Sequence, residues 1–336
     1  MSWQLGLLQE AGIQGMTVSY NHSHFLADPD FNKDFIGPHG RTHAGDPPVF
    51  SDEWWDIWKW FSAETGKRNM GLGLKDYTFN FSGYWHDEVR ALPEFSSYRG
   101  QLDIRKVAGL GPGESFEHTI GPDSTFTVMA YPVINGDIDV TEALDLLEYE
   151  DHGAISWTAP AGSNWQVFES VTTTGEAYML HPDHGKEHCN HYFQRFEDRM
   201  DDEGRRGMNY FLQDELGSPA HIVGPGTWSE DFPEQFKNRK GYDILPYLPA
   251  LNLDIGPVTP KVRLDYMDVV MDMVEERFYK PIFDWHWERG LIYGVDNWGR
   301  GLNPTAYGDY FRVTRWFTAP GIRCFPDNRN FPFRNH

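Results

Sequence analysis

The sequence predicts an α/β protein built as a TIM-like (β/α) barrel that is incomplete and carries a β-rich insertion. Short apolar runs bounded by glycine recur along the chain, mostly with helical patterns between them, which is typical of parallel strands joined by helices. Counting these runs gives about six strands, whereas a closed barrel needs eight. They begin near residues 13, 69, 165, 208, 291 and 321. The barrel is therefore expected to lack its last two strands.

Residues 100–158 have a different texture from the rest of the chain. The alternating runs SFEHTI and TFTVMAYPV are broken by the turn sequences GPG, GPD and NGD. This alternation is typical of antiparallel strands joined by turns. We therefore interpret residues 100–158 as an inserted antiparallel β subdomain, with residues 1–80 and 160–336 forming the barrel. Residues 165–171 are expected to return to the barrel as its third strand.

The first part of the barrel is predicted to begin with a helix over residues 3–11 and a strand over residues 13–20. The long polar stretch over residues 27–50 is rich in Asp, Pro and Gly, and a loop of this length inside a compact domain is usually functional. A second strand follows near residue 69 and ends at Asp76. The order of strand, helix and strand favours parallel pairing.

A helix is predicted between these two strands, beginning at Ser51. Its residues Trp54, Trp58 and Phe61 are spaced at i, i+4 and i+7, which places them on one side of a helix. We expect this stripe to pack in the core rather than to bind a ligand.

Further helices are predicted over residues 181–200, 260–290 and 307–317. Pro281 should kink the second of these, because proline removes a backbone donor inside a helix. The strand near residue 291 is expected to end at Asp296.

Four histidines fall on one face of the predicted helix over residues 181–200, at spacings of three, four and three: His181, His184, His188 and His191. Histidines at i and i+4 can chelate zinc, so a metal-dependent hydrolase is one hypothesis. However, the sequence contains no HExxH motif. A helix face that packs beside a polar barrel rim explains the stripe as well, and we favour that interpretation.

The composition excludes several classes of partner. A formal charge of −21 disfavours nucleic acid and anionic membranes, because phosphate groups need clustered Lys and Arg. The 13 tryptophans offer flat faces that either stack on sugars or fill cores. Cys189 and Cys324 form neither a disulfide framework nor a CxxC site. The N-terminal residues lack the pattern of a signal peptide, and no apolar run is long enough to cross a membrane.

The stretch GMNYFLQDELG contains the strongest candidates for catalysis. It is predicted to form a buried strand that ends in two adjacent carboxylates, Asp214 and Glu215. Acids where a buried strand emerges are held rigidly and partly desolvated, which suits acid/base chemistry. In the alternative reading, Asp214 caps the next segment and Glu215 is a surface charge.

Aromatic and polar residues near the expected strand ends and loops are candidates for substrate binding. These residues are His22, His24, Asp76, Trp85, His86, Trp228, Trp298 and Arg300.

Several blocks of the chain resemble the catalytic barrel of family 106 glycoside hydrolases, which include α-L-rhamnosidases, and their close unclassified relatives. The blocks include EAGIQGMTV, WTAPAGSNWQVF, YFLQDEL, WSEDFPEQFKNRKGYDILPYLPAL and LIYGVDNWGRG. The resemblance covers roughly residues 3–320 and implies a barrel interrupted by a β-rich insertion. It also implies an inverting hydrolysis by two carboxylates, a calcium ion in some members, and a secreted or periplasmic location.

By this resemblance, Glu215 is the general acid that protonates the leaving oxygen. Asp214 beside it would raise the pKa of Glu215, or bind a sugar hydroxyl or calcium. The resemblance places the second acid on a later strand that this chain does not clearly supply, so Asp296 is a stand-in candidate for that role. Apart from possible calcium, no cofactor is expected to be required.

We therefore predict a glycoside hydrolase that cleaves a terminal, α-L-rhamnoside-like bond in an oligo- or polysaccharide. The alternative is a catalytically idle carbohydrate-binding barrel fragment. Since an open barrel exposes unpaired strand edges, we also expect a homo-oligomer, with dimers covering those edges.

Overall fold

The fold is known from a computed structural model of the chain. The structure describes residues 1–20, 36–37, 40–41, 47, 50–76, 89, 91–121, 125–174, 179–214, 226–298 and 309–323.

The secondary structure of the described residues alternates between strands and helices at both ends of the chain and is mostly β in between. The strands are β1 (Gly15–Tyr20), β2 (Ile36–Gly37), β3 (Gly40–Arg41), β4 (Gly71–Asp76), β5 (Gln101–Leu110), β6 (Ser115–Thr119), β7 (Thr125–Ile134), β8 (Asp137–Ile138), β9 (Leu144–Asp145), β10 (Glu150–Asp151), β11 (Ala154–Thr158), β12 (Asn164–Thr173), β13 (Met208–Asp214), β14 (Ile292–Trp298) and β15 (Ala319–Arg323). The α-helices are α1 (Ser2–Glu10), α2 (Asp52–Lys67), α3 (Pro93–Ser96), α4 (His184–His188), α5 (Gln194–Arg199), α6 (Asp202–Gly207), α7 (Phe232–Lys240), α8 (Thr259–Val274), α9 (Lys280–Glu288) and α10 (Tyr310–Val313).

A five-stranded parallel sheet organises the molecule, with the strand order β1-β4-β13-β14-β15. Each strand lies beside its predecessor in the chain, apart from the insertion, as in a singly wound (β/α) barrel. The described sheet is therefore a half-barrel, which confirms the α/β class and the parallel pairing. The strand predicted near residue 321 is present as β15.

The prediction that residues 165–171 form a barrel strand is wrong. These residues belong to β12, which pairs antiparallel with β5 on one side and β7 on the other. Residues Val167 to Thr172 are all buried, the polar Glu169, Ser170 and Thr172 included, which gives β12 the uninterrupted burial pattern of a parallel strand. Burial on both faces, and not parallel pairing, produced that pattern.

The insertion is two antiparallel sheets packed face to face, with the orders β5-β12-β7-β8 and β10-β11-β6. Their shared core contains Phe116, Val128, Ile155 and Trp157. The other face of the first sheet packs on the main core, to which Tyr131, Phe168 and neighbouring residues belong. The antiparallel strands thus run from residue 101 to residue 173, beyond the 100–158 boundary expected from the sequence.

The helix α2 covers one face of the half-barrel and confirms the predicted element. Ser51 caps it by accepting a hydrogen bond from the Trp54 backbone N–H at 3.2 Å. Trp55 and Trp58 are buried, whereas Trp54 and Phe61 are only partly so. The apolar face of α2 is therefore broader than predicted, since it includes Trp55, and it packs in the core as expected.

The long helix predicted over residues 260–290 is interrupted. α8 and α9 are joined by a π-helical turn over Glu275–Tyr279, and Pro281 lies in the first turn of α9. Because the helical backbone is continuous through the π turn, Pro281 lacks the N–H that would bond the preceding turn, and the irregularity lies directly before the proline. The helix predicted over residues 307–317 is present as α10 and a 3-10 turn at Thr314–Trp316.

Close approaches at glycine fix how these layers pack. A Cβ at Gly207 would overlap the Ser62 carbonyl of α2, and a Cβ at Gly73 would overlap the Tyr210 ring on the next strand. Within the described ranges, no helix is both long and apolar enough to span a bilayer.

Candidate active site

The carboxyl ends of the parallel strands bring three of the predicted acids to neighbouring backbone positions. Asp214 of β13 is paired in register with Asp296 of β14. Asp76 ends β4 on the other side and is paired with Gln213, one residue before Asp214. Because neighbouring strands lie ~4.8 Å apart, these backbone positions form a row about 10 Å long. The strand ends therefore supply three acids at one edge of the sheet.

Several predicted site residues lie outside the described residues. These are Glu215, His22, His24, Trp85, His86 and Arg300. The strand that was expected to end at Asp296 continues for two residues, because pairing with β15 extends β14 to Trp298, whose partner is Arg323. The roles of all these residues stay predictions.

Trp228 does not match the expectation of a sugar-binding surface. Its side chain is 1 % exposed. The indole packs against Phe232 at 4.8 Å and Phe126 at 5.4 Å between ring centroids. The sequence does not show this burial because Trp228 follows a glycine-rich stretch that suggests an open loop. We therefore correct the expectation: Trp228 is a core residue in the described structure.

The backbone around Trp228 is fixed by hydrogen bonds to the start of the insertion. Gly226 accepts a hydrogen bond from Leu102 N–H at 2.7 Å, and Trp228 N–H donates to Gly100 O at 2.8 Å. Gly226 has φ +102°, and a Cβ there would lie 2.7 Å from Leu102 O. Only glycine fits this left-handed, crowded position. The start of the insertion thus holds the backbone of residues 226–228.

Tyr266 of α8 anchors the same backbone from the helical side. Its hydroxyl accepts from Gly226 N–H at 3.1 Å and donates to the Thr227 carbonyl. The side chain is buried, and burial raises the pKa of this phenol above its ordinary value. The hydroxyl therefore stays protonated and keeps its proton for the Thr227 carbonyl.

An ion pair lies next along the returning chain. Arg277 donates to Asp231 at 2.5 and 3.1 Å and to the Leu180 carbonyl at 2.6 Å. Burial raises the pKa of Asp231, but the hydrogen bonds from Arg277 and Ser229 outweigh it and hold the pKa below its ordinary value. Asp231 is therefore a charged structural partner of Arg277.

Three of the four histidines pack into an aromatic core, whereas His191 is 29% exposed and lies 3.7 Å from Glu187. The predicted helix is broken into α4, a π turn at Cys189–Phe193 and α5. The His181 ring stacks on Phe95 at 4.1 Å, and burial lowers the pKa of His181. His184 lies 4.8 Å from the ring of Phe278. No group of three or more potential metal-binding side chains is present in the part of the chain that the structure describes. These contacts favour the packing interpretation of the stripe.

Sequence reasoning missed Tyr266 and Arg277, whose side chains hold residues 226–231 by hydrogen bonds. In the sequence, Tyr266 stands among the apolar residues of the helical pattern over residues 260–290 and looks like one more of them. A tyrosine on a buried face is nevertheless a signal, because its hydroxyl needs a hydrogen-bond partner there. Arg277 gave no such signal, since its partners Asp231 and Leu180 are distant in sequence.

The chain is similar in sequence and in fold to known glycoside hydrolases. The sequence profile of the family described as alpha-L-rhamnosidase (glycoside hydrolase family 106) matches residues 123–312, which is more than half of the 336-residue chain. A protein of Formosa agariphila named putative beta-glucuronidase is 25% identical over 103 residues, covering 29% of this chain and 9% of that protein.

A solved structure, the rhamnosidase from Novosphingobium sp. PP1Y, superimposes with a TM-score of 0.59 at 12% sequence identity. The superposition covers 93% of this chain and 46% of that chain. The present chain therefore spans less than half the length of either relative, and the structural likeness concerns the fold.

Proposed function

Because the chain belongs to the alpha-L-rhamnosidase family of glycoside hydrolases, we propose that it hydrolyses a terminal α-L-rhamnoside-like bond in an oligo- or polysaccharide. The observation that carries this proposal is the register of the parallel sheet. It brings the positions of Asp76, Asp214 and Asp296 into one row at the strand ends. In (β/α) barrels, catalytic residues come from this end of several strands.

In the proposed mechanism, Glu215 is the general acid. It directly follows Asp214, so both leave the same buried strand. A carboxyl group with a neighbouring carboxylate holds its proton to higher pH, and Glu215 could then protonate the leaving glycosidic oxygen. Asp214 would supply that neighbouring charge.

Asp296 is the proposed second carboxylate, which activates the attacking water. An inverting glycosidase needs its two carboxyl groups about 6.5–9.5 Å apart, whereas a retaining enzyme needs about 5–5.5 Å. Glu215 lies one residue beyond Asp214, the register partner of Asp296, so the two acids start from neighbouring strands. From neighbouring strands, two carboxyl groups can be about 5–5.5 Å or about 6.5–9.5 Å apart, depending on the direction of their side chains. We propose the longer separation, and therefore the inverting mechanism, because the family resemblance implies inversion.

A calcium ion is proposed as an accessory of this site. Carboxylate oxygens are the ligands that Ca²⁺ takes in proteins, and Asp76 and Asp214 bring two such groups to adjacent strands. When bound there, the ion would orient a sugar hydroxyl, and Asp214 would then act as its ligand instead of as the charge that raises the pKa of Glu215. Loss of activity on chelation, with recovery on adding Ca²⁺, would support the proposed calcium ion. Full activity after exhaustive chelation would contradict it.

The substrate is proposed to be a carbohydrate outside the cytoplasm, in keeping with the secreted or periplasmic location implied by the family. A panel of aryl glycosides tests this, with α-L-rhamnosides as the expected substrates. An aryl β-glucuronide belongs in the panel because the Formosa relative is named for that activity.

The decisive experiment replaces the proposed acid. Glu215→Gln should abolish turnover while the unfolding midpoint stays that of the wild type. Asp296→Asn should also lose activity, and the first sugar released by the wild type should show inverted anomeric configuration by NMR. Wild-type turnover by Glu215→Gln would refute the assignment of the acid. Sugar binding by calorimetry without turnover in the wild type would support the idle carbohydrate-binding alternative instead.

A further inference from the structure

An exposed apolar surface covers the outside of α1 and α2, beside β1 at one end of the parallel sheet. All of α1 is described, and Leu5 is its one buried side chain. A helix of nine residues is marginal in water unless an apolar face of it is covered. The exposed members of this surface, which we call the α1–α2 patch, are Met1, Trp3, Leu7, Leu8, Ile13, Ile57 and Trp60.

The patch is continuous across the two helices. Two shallow depressions in it share Met1. The first, of about 510 Å³, is lined by Trp3 of α1 and Phe61 of α2. The second, of about 410 Å³, is lined by Ile57 and Trp60 of α2. Apolar surface therefore runs without a break from α1 onto the outer face of α2.

The size of the patch exceeds what a monomer usually exposes. Trp3 is 73% exposed, Met1 is 65% exposed, and the other five members are 37–46% exposed. With roughly 200 Å² for a fully exposed large side chain, the seven together expose roughly 700 Å². The largest patch on a typical monomer is roughly 300–600 Å². A stable complex buries roughly 800 Å² on each partner, so this patch can supply most of one such interface.

The outer face of α2 carries opposite charges at its two ends. Since each residue of a helix is rotated by about 100° from the last, Glu53, Trp60 and Lys67 lie on one face. Glu53 is in the first turn and Lys67 is the last residue of the helix. Within its own copy, Lys67 bonds Glu64 at 3.0 Å and Glu203 at 3.1 Å. An ammonium group has three donors, so Lys67 can bind one further carboxylate.

We propose that the α1–α2 patch is the interface of a homodimer, in which α2 of a second copy packs antiparallel to α2 of the first. A two-fold axis near Trp60 covers each patch with the same patch of the partner, as in other isologous dimers. Glu53 and Lys67 each lie seven residues from Trp60, so the axis brings Glu53 of one copy to Lys67 of the other.

The same axis keeps like charges apart. At 1.5 Å per residue, the two copies of Glu53 are about 20 Å apart along the helix, beyond the roughly 10 Å over which salt screens charges. A parallel arrangement would instead place the two copies of Glu53 side by side. The proposed dimer uses the helix layer, whereas the dimer expected from the sequence covers strand edges. The proposal does not depend on the proposed function.

Sedimentation equilibrium of the wild type, Trp3→Glu and Trp287→Glu tests the surface. Trp287 of α9 is the matched control, because it is 67% exposed and lies outside the patch. We expect the wild type to dimerise. Trp3→Glu should raise the Kd of the dimer at least about 100-fold, because it places a carboxylate in an apolar interface, and Trp287→Glu should leave the Kd unchanged.

Three results of this experiment would overturn the inference. They are a wild type that stays monomeric at all concentrations, a wild type that associates beyond the dimer, and a dimer on which Trp3→Glu and Trp287→Glu act alike.

A charge exchange tests the antiparallel arrangement with variants that leave the apolar patch intact. Glu53→Lys and Lys67→Glu should each raise the Kd about tenfold, because each places like charges across the axis. The double variant should regain most of the wild-type affinity. Within one copy the two residues lie about 20 Å apart along α2, so such a recovery reports contact between copies. Single variants without effect, or a double variant weaker than either, would contradict the antiparallel dimer.

Discussion

His286 of α9 makes the acid stability of this protein predictable. The ring is fully buried, stacked on Tyr293 at 4.4 Å, with its edge near Phe193 at 4.4 Å. Its Nδ1 lies 2.7 Å from Ile282 O, and since a carbonyl can only accept, Nδ1 carries the proton. Burial lowers the pKa of His286 from 6.5 to about 3, although the bond to Ile282 opposes the shift.

The sign of the effect follows from comparing the two states. The unfolded chain binds a proton at His286 near pH 6.5, but the folded protein resists protonation until about pH 3. The contribution of neutral His286 to the free energy of unfolding is therefore complete above pH 6.5 and is lost as the pH falls towards 3. Protonation of His286 stabilises the unfolded state by about 1.36 kcal/mol for each pH unit below 6.5, the pKa of the unfolded chain. At pH 4 this lowers the free energy of unfolding by on the order of 3 kcal/mol.

The perturbation is His286→Phe, which keeps a ring between Tyr293 and Phe193 but cannot titrate. It loses the bond to Ile282 O, so at pH 8 we expect the variant to be about 1 kcal/mol less stable than the wild type. At pH 4 the variant should be about 2 kcal/mol more stable, since it avoids the protonation penalty. The two stability curves should cross near pH 6.

Urea unfolding followed by tryptophan fluorescence, repeated between pH 4 and pH 8, measures this crossing. His152→Asn is the control, because His152 has a side chain that is 95% exposed and a φ of 52° that asparagine tolerates. The free energy of unfolding of the His152→Asn control should change with pH as that of the wild type does. Parallel curves for His286→Phe as well would refute a neutral, buried imidazole at this position.

The remaining predictions concern close packing at glycine. Gly207→Ala should cost about 3 kcal/mol, because the new Cβ would overlap the backbone carbonyl of Ser62. Gly6→Ala, with nothing within 4 Å of its Cβ, should instead stabilise α1 by about 0.5–1 kcal/mol, and equal urea midpoints for the two variants would contradict the packing. Gly73→Ala should cost about 1–3 kcal/mol by displacing the Tyr210 ring, measured in the same way, and an unchanged midpoint would show that the ring can move freely.

The half-barrel illustrates what the sequence predicts well. Its strands β4, β13 and β14 were predictable because each is an apolar run next to glycine, followed by an acid. Burial by helices on one face and close packing on the other leaves such a continuous pattern. β12 was assigned to the wrong sheet, because a strand that lies between two packed layers is buried on both faces, as a barrel strand is.

The candidate site shows where sequence reasoning ends. Asp214 and Asp296 could be named as strand-end acids from local pattern alone. That they are register partners, with Asp76 on the next strand, depends on pairings between residues more than 80 positions apart. Trp228 was misjudged for the same reason, since the ring of Phe126 that packs on it belongs to β7, far away in the chain.

The sequence by itself determined the class of this protein: an α/β chain with acids at the ends of buried strands and an antiparallel insertion. Periodicity, glycine and charge are local properties, so they can be read without the fold. Only the tertiary structure decided which acids are neighbours and which charged side chains pair across the fold. Those contacts join Asp231 to Arg277 and Arg312 to Glu275 across many residues of chain, and no local pattern encodes them.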